Sequence, residues 1–377
     1  MSTKHLTYLD SLRGLAALTV VFSHYVQFFR MNQFTHTGRI AVCLFFILSG
    51  FVLAQRFLGA ADMKWSIIAA VIKRPFRLLG VVWATIILGV LINIFVQGIT
   101  PDQLGKSWTQ FAVDFFVSPF ATGEIYNSVL WTIHWELWGS MIVFGSVFLC
   151  GAWPKYLRLA VFGAVLFVNI RNFYCAFMIG VIIAELHKSF YCSLLIKYRN
   201  LLAVPMLAAG VALGVAYLAP DSDPVMSACF SNGFRMISAV AIFIAVMLNT
   251  TFMRSMLQWR PVNFLGNISY SLYAIHCLIM KTIAETVDTM LNQYLQHDVA
   301  FCGTILITLP IIIFAAWIMD KYVDKPSIKF ASWFEKKLTG EIRRRTELVR
   351  SITIAAFRNA KALISKVFNA LDPDIEP

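Results

Sequence analysis

The chain has 377 residues, of which 59% are hydrophobic and 14% are charged, and its formal net charge is +12. A soluble globular domain carries about 25% charged residues, so a soluble core is excluded and lipid is the expected solvent. The net charge could indicate a nucleic-acid partner. However, the basic residues are distributed as in a membrane protein, and no nucleic acid is expected.

Ten apolar stretches follow one another along the chain, and all but the short fifth one are about long enough to cross about 30 Å of hydrocarbon. They lie near residues 11–30, 39–57, 76–97, 129–150, 157–171, 172–190, 201–219, 234–253, 264–284 and 299–320. The sequence therefore predicts an all-α polytopic membrane protein with about ten transmembrane helices.

The basic residues predict the orientation of these spans. If the N-terminus is inside, alternation places most of the 32 lysines and arginines on the inner side. The outer loops carry acidic residues instead, among them Asp102, Asp221 and Asp298. Because basic loops stay in the cytoplasm, we expect both termini on the cytoplasmic side.

The C-terminal segment differs in composition from the rest. We expect a transmembrane domain over residues 1–326 and a basic amphipathic cytoplasmic tail over residues 327–377. In residues 341–371, basic residues such as Arg343 and Arg358 are set against apolar ones such as Ile352 and Phe357. This pattern is typical of a helix on the anionic inner leaflet, and a disordered basic tail is the alternative.

Three ionisable residues lie deep in the predicted spans, where a charge is costly and often functional. Counting about 1.5 Å per helical residue places His24, Glu136 and His276 at a similar depth of about 18–20 Å. Ser269, Tyr273 and His276 also form a polar stripe on one helix face. The alternative is structural: histidines that bridge helices by hydrogen bonds, and a glutamate that completes an ion pair.

Basic residues at the inner ends of two spans form a candidate anion site. Arg74 and Arg77 make an R-x-x-R sequence at the predicted start of the third span. Arg13 shares a helix face with His24, because eleven residues make about three turns. A planar guanidinium binds phosphate well, although simple anchoring at the membrane surface also explains these arginines.

Six short segments between residues 8 and 326 form an ordered set. They are residues 8–17 followed by His24, residues 45–51, Arg74-x-x-Arg77, residues 130–136, residues 269–276 and residues 324–326. In this order they resemble the motifs of the membrane-bound acyltransferase 3 family. Thr132 stands where that family usually has serine, and Asp324 stands where it usually has glutamate. Each motif alone is weak, but the ordered set is specific.

The resemblance implies transfer of an acyl group, usually acetyl, from cytoplasmic acyl-CoA to a carbohydrate hydroxyl across a bacterial inner membrane. We hypothesise that His24 acts as a general base or as a transient acyl carrier, with Glu136 orienting or stabilising its imidazole. An unperturbed imidazole pKa of about 6.5 suits either role. The donor phosphates are expected to bind Arg13, Arg74 and Arg77.

The expected partners are acetyl-CoA as acyl donor, a carbohydrate acceptor and membrane lipids. The seven cysteines include no C-x-x-C pair, and no metal is expected. O-antigen of lipopolysaccharide, capsule, peptidoglycan and secreted glycans all fit as acceptors. The residues expected to support the site are Asp10, Ser49, Ser269, Tyr273 and His276.

Two other functions fit parts of the sequence. A proton-coupled transporter or flippase would explain the intramembrane His24, Glu136 and His276, but not the arginine cluster or the ordered motifs. An acyltransferase that modifies a cytoplasmic small molecule or lipid would keep the chemistry and change the acceptor. Flux without acyl-CoA would favour the first, and the side on which product forms would decide the second.

Overall fold

The computed structural model describes residues 7–29, 36–60, 62–96, 98, 107–117, 119–121, 127–187, 197–216, 224–248 and 251–371, and all regular secondary structure in them is helical. A 3-10 turn covers Ser128–Leu130, and π-helical turns cover Met280–Ala284 and Asp320–Asp324. The α-helices are α1 (Thr7–Phe29), α2 (His36–Phe57), α3 (Met63–Phe95), α4 (Trp108–Val117), α5 (Trp131–Cys150), α6 (Lys155–Val168), α7 (Tyr174–His187), α8 (Arg199–Ala216), α9 (Pro224–Met247), α10 (Thr251–Leu257), α11 (Arg260–Asn267), α12 (Ser269–Ile279), α13 (Glu285–Asn292), α14 (His297–Met319) and α15 (Lys325–Leu371).

Five helices in the described residues are long and apolar enough to cross a membrane. They cover Tyr8–Phe29, Thr37–Phe57, Met63–Phe95, Trp131–Cys150 and His297–Ala362. Three further apolar helices within α7, α8 and α9 are shorter. The all-α prediction is confirmed for the described part of the chain. The count of ten spans, the sides of the termini and the division at residue 326 stay predictions.

The third helix begins earlier than the sequence predicts. The predicted span starts at residue 76, whereas α3 starts at Met63 and continues through Pro75. The early turns mix Lys64 and Lys73 with apolar residues, so hydropathy does not mark them as part of a span. Arg74 therefore lies about 16 Å inside the helix rather than at its end.

Glycines bring two pairs of helices into backbone contact. A Cβ atom at Gly50 of α2 would collide with the Phe177 carbonyl group of α7. A Cβ atom at Gly14 of α1 would likewise meet the Gly266 backbone of α11. Small residues permit such close approach between membrane helices, where packing drives association. These contacts fix the helix segments that carry Ser49 and Arg13.

The largest buried apolar cluster lies among α2, α5, α7 and α9. Phe46 stacks on Phe177 with ring centroids 4.9 Å apart, and Phe51 contacts Phe243 at 5.3 Å. Outside this cluster, α15 packs its first turns against α3, where Phe76 is 4.6 Å from the Phe334 ring. Helix α2 is closely packed in this interior, and α1, α3, α5 and α12 surround a polar region beside it.

Candidate active site

A pair of histidines joins α1 to α12. His276 Nε2 lies 3.1 Å from His24 Nδ1, and the ring centroids are 5.0 Å apart. His276 is fully buried, and His24 is half-buried. A second contact joins the same two parts of the chain, between Gly14 and Gly266. Gly14 lies ten residues before His24, and Gly266 lies ten residues before His276. The segments therefore run in the same direction, which lets the histidines meet.

The hydrogen bonds around the two rings indicate which nitrogen carries a proton. His276 Nδ1 is 2.7 Å from the Tyr273 carbonyl oxygen, so Nδ1 donates and Nε2 of the neutral ring accepts. The donor to that nitrogen is then His24 Nδ1, which also lies 3.0 Å from the Val20 carbonyl oxygen. His24 Nε2 keeps a lone pair, as a general base or nucleophile requires.

A second polar cluster joins α2, α3 and α5. Arg74 donates to Glu136 Oε1 and, over 3.0 Å, to Ser49 Oγ. Ser49 Oγ in turn donates to Glu136 Oε1 over 2.6 Å. Arg74 is only 9% exposed, and a charge buried to this extent needs a partner of opposite sign. Glu136 supplies that partner.

A cavity of about 140 Å³ opens beside this cluster, and we call it the arginine cavity. Arg13, Arg74 and Arg77 line it, so the three basic residues that the sequence singles out lie together. Arg13 Nη1 is 3.2 Å from Asp10 Oδ1, and Arg77 is exposed. The other polar residues of the lining are Ser49, Thr132, Glu136, Ser269, Tyr270, Tyr273 and Asp324.

Two residues of this lining each have a buried polar atom with no hydrogen-bond partner in the described part of the chain. These atoms are Arg74 Nε, a donor, and Asp324 Oδ1, an acceptor when ionised. Buried polar groups are normally paired, because an unpaired one costs free energy. The residues around the arginine cavity therefore include one unpaired donor and one unpaired acceptor.

Tyr273 connects the arginine cavity to the histidine pair. Its side chain lines the cavity, and its hydroxyl accepts a hydrogen bond from Thr132 Oγ1 over 2.9 Å. Its backbone carbonyl holds His276 Nδ1, and the two rings lie 6.0 Å apart. Helix α12 thus passes from the cavity, at Ser269 and Tyr273, to the histidine pair within two turns.

The family comparison covers most of the chain, including both polar clusters. The model of the acyltransferase 3 family, described as an acyltransferase domain, matches residues 6–319. The chain belongs to the acyltransferase 3 family. With its long apolar helices, the match supports a multi-pass membrane acyltransferase. Comparisons with the curated proteins and with the solved structures gave no match.

One pairing expected from the sequence differs in this acyltransferase. The sequence predicts that Glu136 lies at the depth of His24 and orients or stabilises its imidazole. In the described residues Glu136 instead binds Arg74 and Ser49, and His24 binds His276. The reason is helix packing. Helix α3 lies against α5, which brings Arg74 to Glu136, and α1 lies against α12, which brings His24 to His276. The roles assigned to these residues stay predictions.

Several residues of the candidate site are not singled out in the sequence by hydropathy or by depth in a span. Tyr270 lines the arginine cavity and donates to the Leu78 carbonyl oxygen over 2.8 Å. Asp324 and Thr132 line the same cavity, and the sequence marks them only through the family motifs. These residues come together because of how the helices pack, and a single sequence does not show this packing.

The histidine pair has a third neighbour that could bind a metal. His24, His276 and Cys277 each offer one ligand atom, and these atoms lie within 4.8 Å of one another. We call these residues the His–His–Cys trio. Histidine and cysteine are ordinary zinc ligands, although structural zinc sites usually have four ligands. The expectation that this acyltransferase needs no metal stays a prediction.

Proposed function

We propose that this acyltransferase transfers an acyl group, in the simplest case acetyl, from cytoplasmic acyl-CoA to a hydroxyl of a cell-envelope or exported carbohydrate. The transfer would cross a bacterial inner membrane. The observation that carries the proposal is the histidine pair, in which His24 Nδ1 lies 3.1 Å from His276 Nε2. Tyr273 connects this pair to a cavity lined by three arginines.

The arginine cavity suits the acyl end of the donor. An engineered cavity of about 150 Å³ holds a benzene-sized group, so about 140 Å³ holds a short acyl thioester but not a whole coenzyme. The phosphates would stay at the mouth, where Arg13 and the exposed Arg77 supply positive charge. Arg74 is already paired with Glu136, so its task would be to hold the lining in place.

The proposed chemistry needs one base and one leaving group. His24 Nε2 takes the proton of the acceptor hydroxyl while the hydroxyl oxygen attacks the thioester carbonyl carbon. The carbon–sulfur bond breaks, and the thiolate leaves with the proton that the imidazolium returns. In the covalent version Nε2 attacks the thioester carbonyl carbon, the carbon–sulfur bond breaks, and CoA leaves as the thiolate. The acceptor hydroxyl oxygen then attacks the acyl carbon and the carbon–nitrogen bond breaks. The hydroxyl proton passes to the freed Nε2 and from there to the thiolate. His276 accepts the Nδ1 hydrogen bond in both versions.

The proposed donor site is tested by substituting one of its arginines and measuring the KM for acetyl-CoA. Removing a hydrogen bond to a charged group costs about 1.5–3 kcal/mol, so Arg77→Gln should raise the KM for acetyl-CoA at least tenfold. Arg343→Gln is the control, because Arg343 is an exposed residue of α15. An unchanged KM in Arg77→Gln, together with unchanged acetyl-CoA binding, would refute the assignment.

The direction of transfer is tested with membrane vesicles of both orientations. Radiolabelled acetyl-CoA, which does not cross the membrane, should label glycan only in inside-out vesicles, and the labelled glycan should be in the lumen. Product on the same side as the donor would contradict transfer across the membrane and favour a cytoplasmic acceptor. Proton-coupled flux that needs no acyl-CoA, without label, would favour the transporter.

A further inference from the structure

A second cavity lies at the other end of the histidine pair. It has a volume of about 540 Å³, and its lining includes Phe28, Lys281, Glu285, Asp288 and Thr289. We call it the Phe28 cavity. It shares no lining residue with the arginine cavity among the described residues. It is therefore a separate space that the donor site does not explain.

The two cavities lie on opposite sides of the histidines along both helices. On α1 the order is Arg13, His24 and Phe28, and the Phe28 ring lies 5.7 Å from the His24 ring. After α12, Met280 follows His276 by one turn and lines the Phe28 cavity. At about 1.5 Å per residue, the lining of this cavity begins about 6 Å beyond the histidines.

The backbone beside the Phe28 cavity is also irregular. Residues Met280–Ala284 form a π-helical turn immediately after α12, and Met280 and Lys281 within it line the cavity. Single π-turns occur frequently at functional sites, because the extra residue redirects side chains. The π-turn begins one helical turn after His276. The irregular backbone therefore lies between the histidine pair and the Phe28 cavity.

The chemistry of the lining fits a polar molecule with one apolar face. Phe28 is 38% exposed and offers a ring, with Lys281 Nζ at 5.9 Å from its centroid. The exposed Glu285 and the carboxylate of Asp288 offer acceptors for hydroxyl donors. Asp288 is held in place by Thr304 and by Asn292, whose amide donates to it over 2.8 Å.

We propose that the Phe28 cavity binds the acceptor as a neutral sugar ring. The apolar face of the sugar lies against Phe28, its hydroxyls donate to Glu285 and Asp288, and the hydroxyl to be acylated points to His24. Two carboxylates against one ammonium repel an anionic group, which favours a neutral acceptor over an acidic one. This assignment rests on the proposed acyl transfer and adds the place and charge of its acceptor.

The test measures CoA release from acetyl-CoA by the full-length enzyme in detergent, with small glycosides as acceptor probes. A neutral methyl glycoside of glucose, mannose or N-acetylglucosamine should increase the release in a saturable way. Phe28→Ala and Glu285→Leu should each raise the half-saturating glycoside concentration at least tenfold. Release without glycoside and the KM for acetyl-CoA should stay within about twofold, which also shows that the variants fold.

Matched control variants lie elsewhere on the surface. Phe314→Ala removes an exposed ring of α14, and Asp298→Leu removes a carboxylate in the first turn of that helix. Neither should change the half-saturating glycoside concentration. If Phe28→Ala and Glu285→Leu behaved like these controls, the Phe28 cavity would not be the acceptor site.

Other outcomes also decide the proposal. Stimulation by methyl glucuronide or by glycerol, with none by the neutral glycosides, would overturn the neutral sugar. CoA release that no acceptor stimulates would overturn it as well. If the wild type released no CoA from any acyl-CoA, the proposed function itself would fail and the acceptor site with it. The donor measurements therefore separate the two failures.

Discussion

His276 is predicted to position His24 without touching the substrate. In His276→Leu, His24 Nδ1 loses one buried acceptor but keeps the Val20 carbonyl oxygen 3.0 Å away. The loss of one buried hydrogen bond costs about 1–3 kcal/mol, which corresponds to a fall in kcat of about 5–150-fold. In His276→Gln the side-chain oxygen can still accept from His24, so we expect most of the activity to return.

The assay is acetyl transfer from labelled acetyl-CoA in membranes with equal amounts of protein. The KM for acetyl-CoA should not change in either variant, because His276 does not line the arginine cavity. His134→Leu is the matched control, since His134 is another buried histidine and also does not line that cavity. A positioning role for His276 would be excluded if His276→Leu kept full kcat, or if His276→Gln were as inactive as His276→Leu.

Three further predictions concern stability and metal. Glu136→Gln removes the counter-charge of buried Arg74, and the free energy of unfolding should fall by about 3 kcal/mol in a detergent unfolding titration. Gly50→Ala places a Cβ against the Phe177 carbonyl group, and the resulting strain should cost about 1–3 kcal/mol in the same titration. Phenanthroline should leave acetyl transfer unchanged, whereas a loss that zinc restores would show that the His–His–Cys trio binds a metal.

Control variants show whether any substitution of the same type lowers the stability of the protein. Glu347→Gln removes an exposed ion pair with Arg343, which contributes about 0–1 kcal/mol, so stability should barely change. Gly163→Ala adds a methyl group where no atom lies within 4 Å, so it should not destabilise the protein. Equal losses in a variant and its control would contradict the stated cause.

Hydropathy predicts the helices well for a physical reason. Lipid cannot hydrogen-bond to a peptide group, so a long apolar stretch must satisfy its backbone as a helix. Each of the ten predicted stretches accordingly overlaps a helix of the described chain. Hydropathy does not mark the polar turns by which a helix continues beyond its apolar stretch. The predicted third span therefore omits the first turns of α3, from Met63 to Pro75.

The candidate site is less accessible from sequence because it depends on neighbours. Depth along a helix can be counted, and counting places His24, Glu136 and His276 at one level. Which of them touch depends on helix packing, through contacts such as Gly14 with Gly266. The family motifs bring in Thr132 and Asp324, which no periodicity indicates. Phe28 and Glu285 lie in none of the family motifs, and their depth in the predicted spans does not single them out.

The proposed role of His24 in acyl transfer is tested by replacing this residue. Membranes that contain wild type or His24→Ala receive radiolabelled acetyl-CoA and the envelope glycan of the same cells, and label in the glycan is counted. We expect label in the glycan with wild type and at least a hundredfold less label with His24→Ala. Full transfer by His24→Ala, in properly folded protein, would contradict both the base and the acyl-carrier versions.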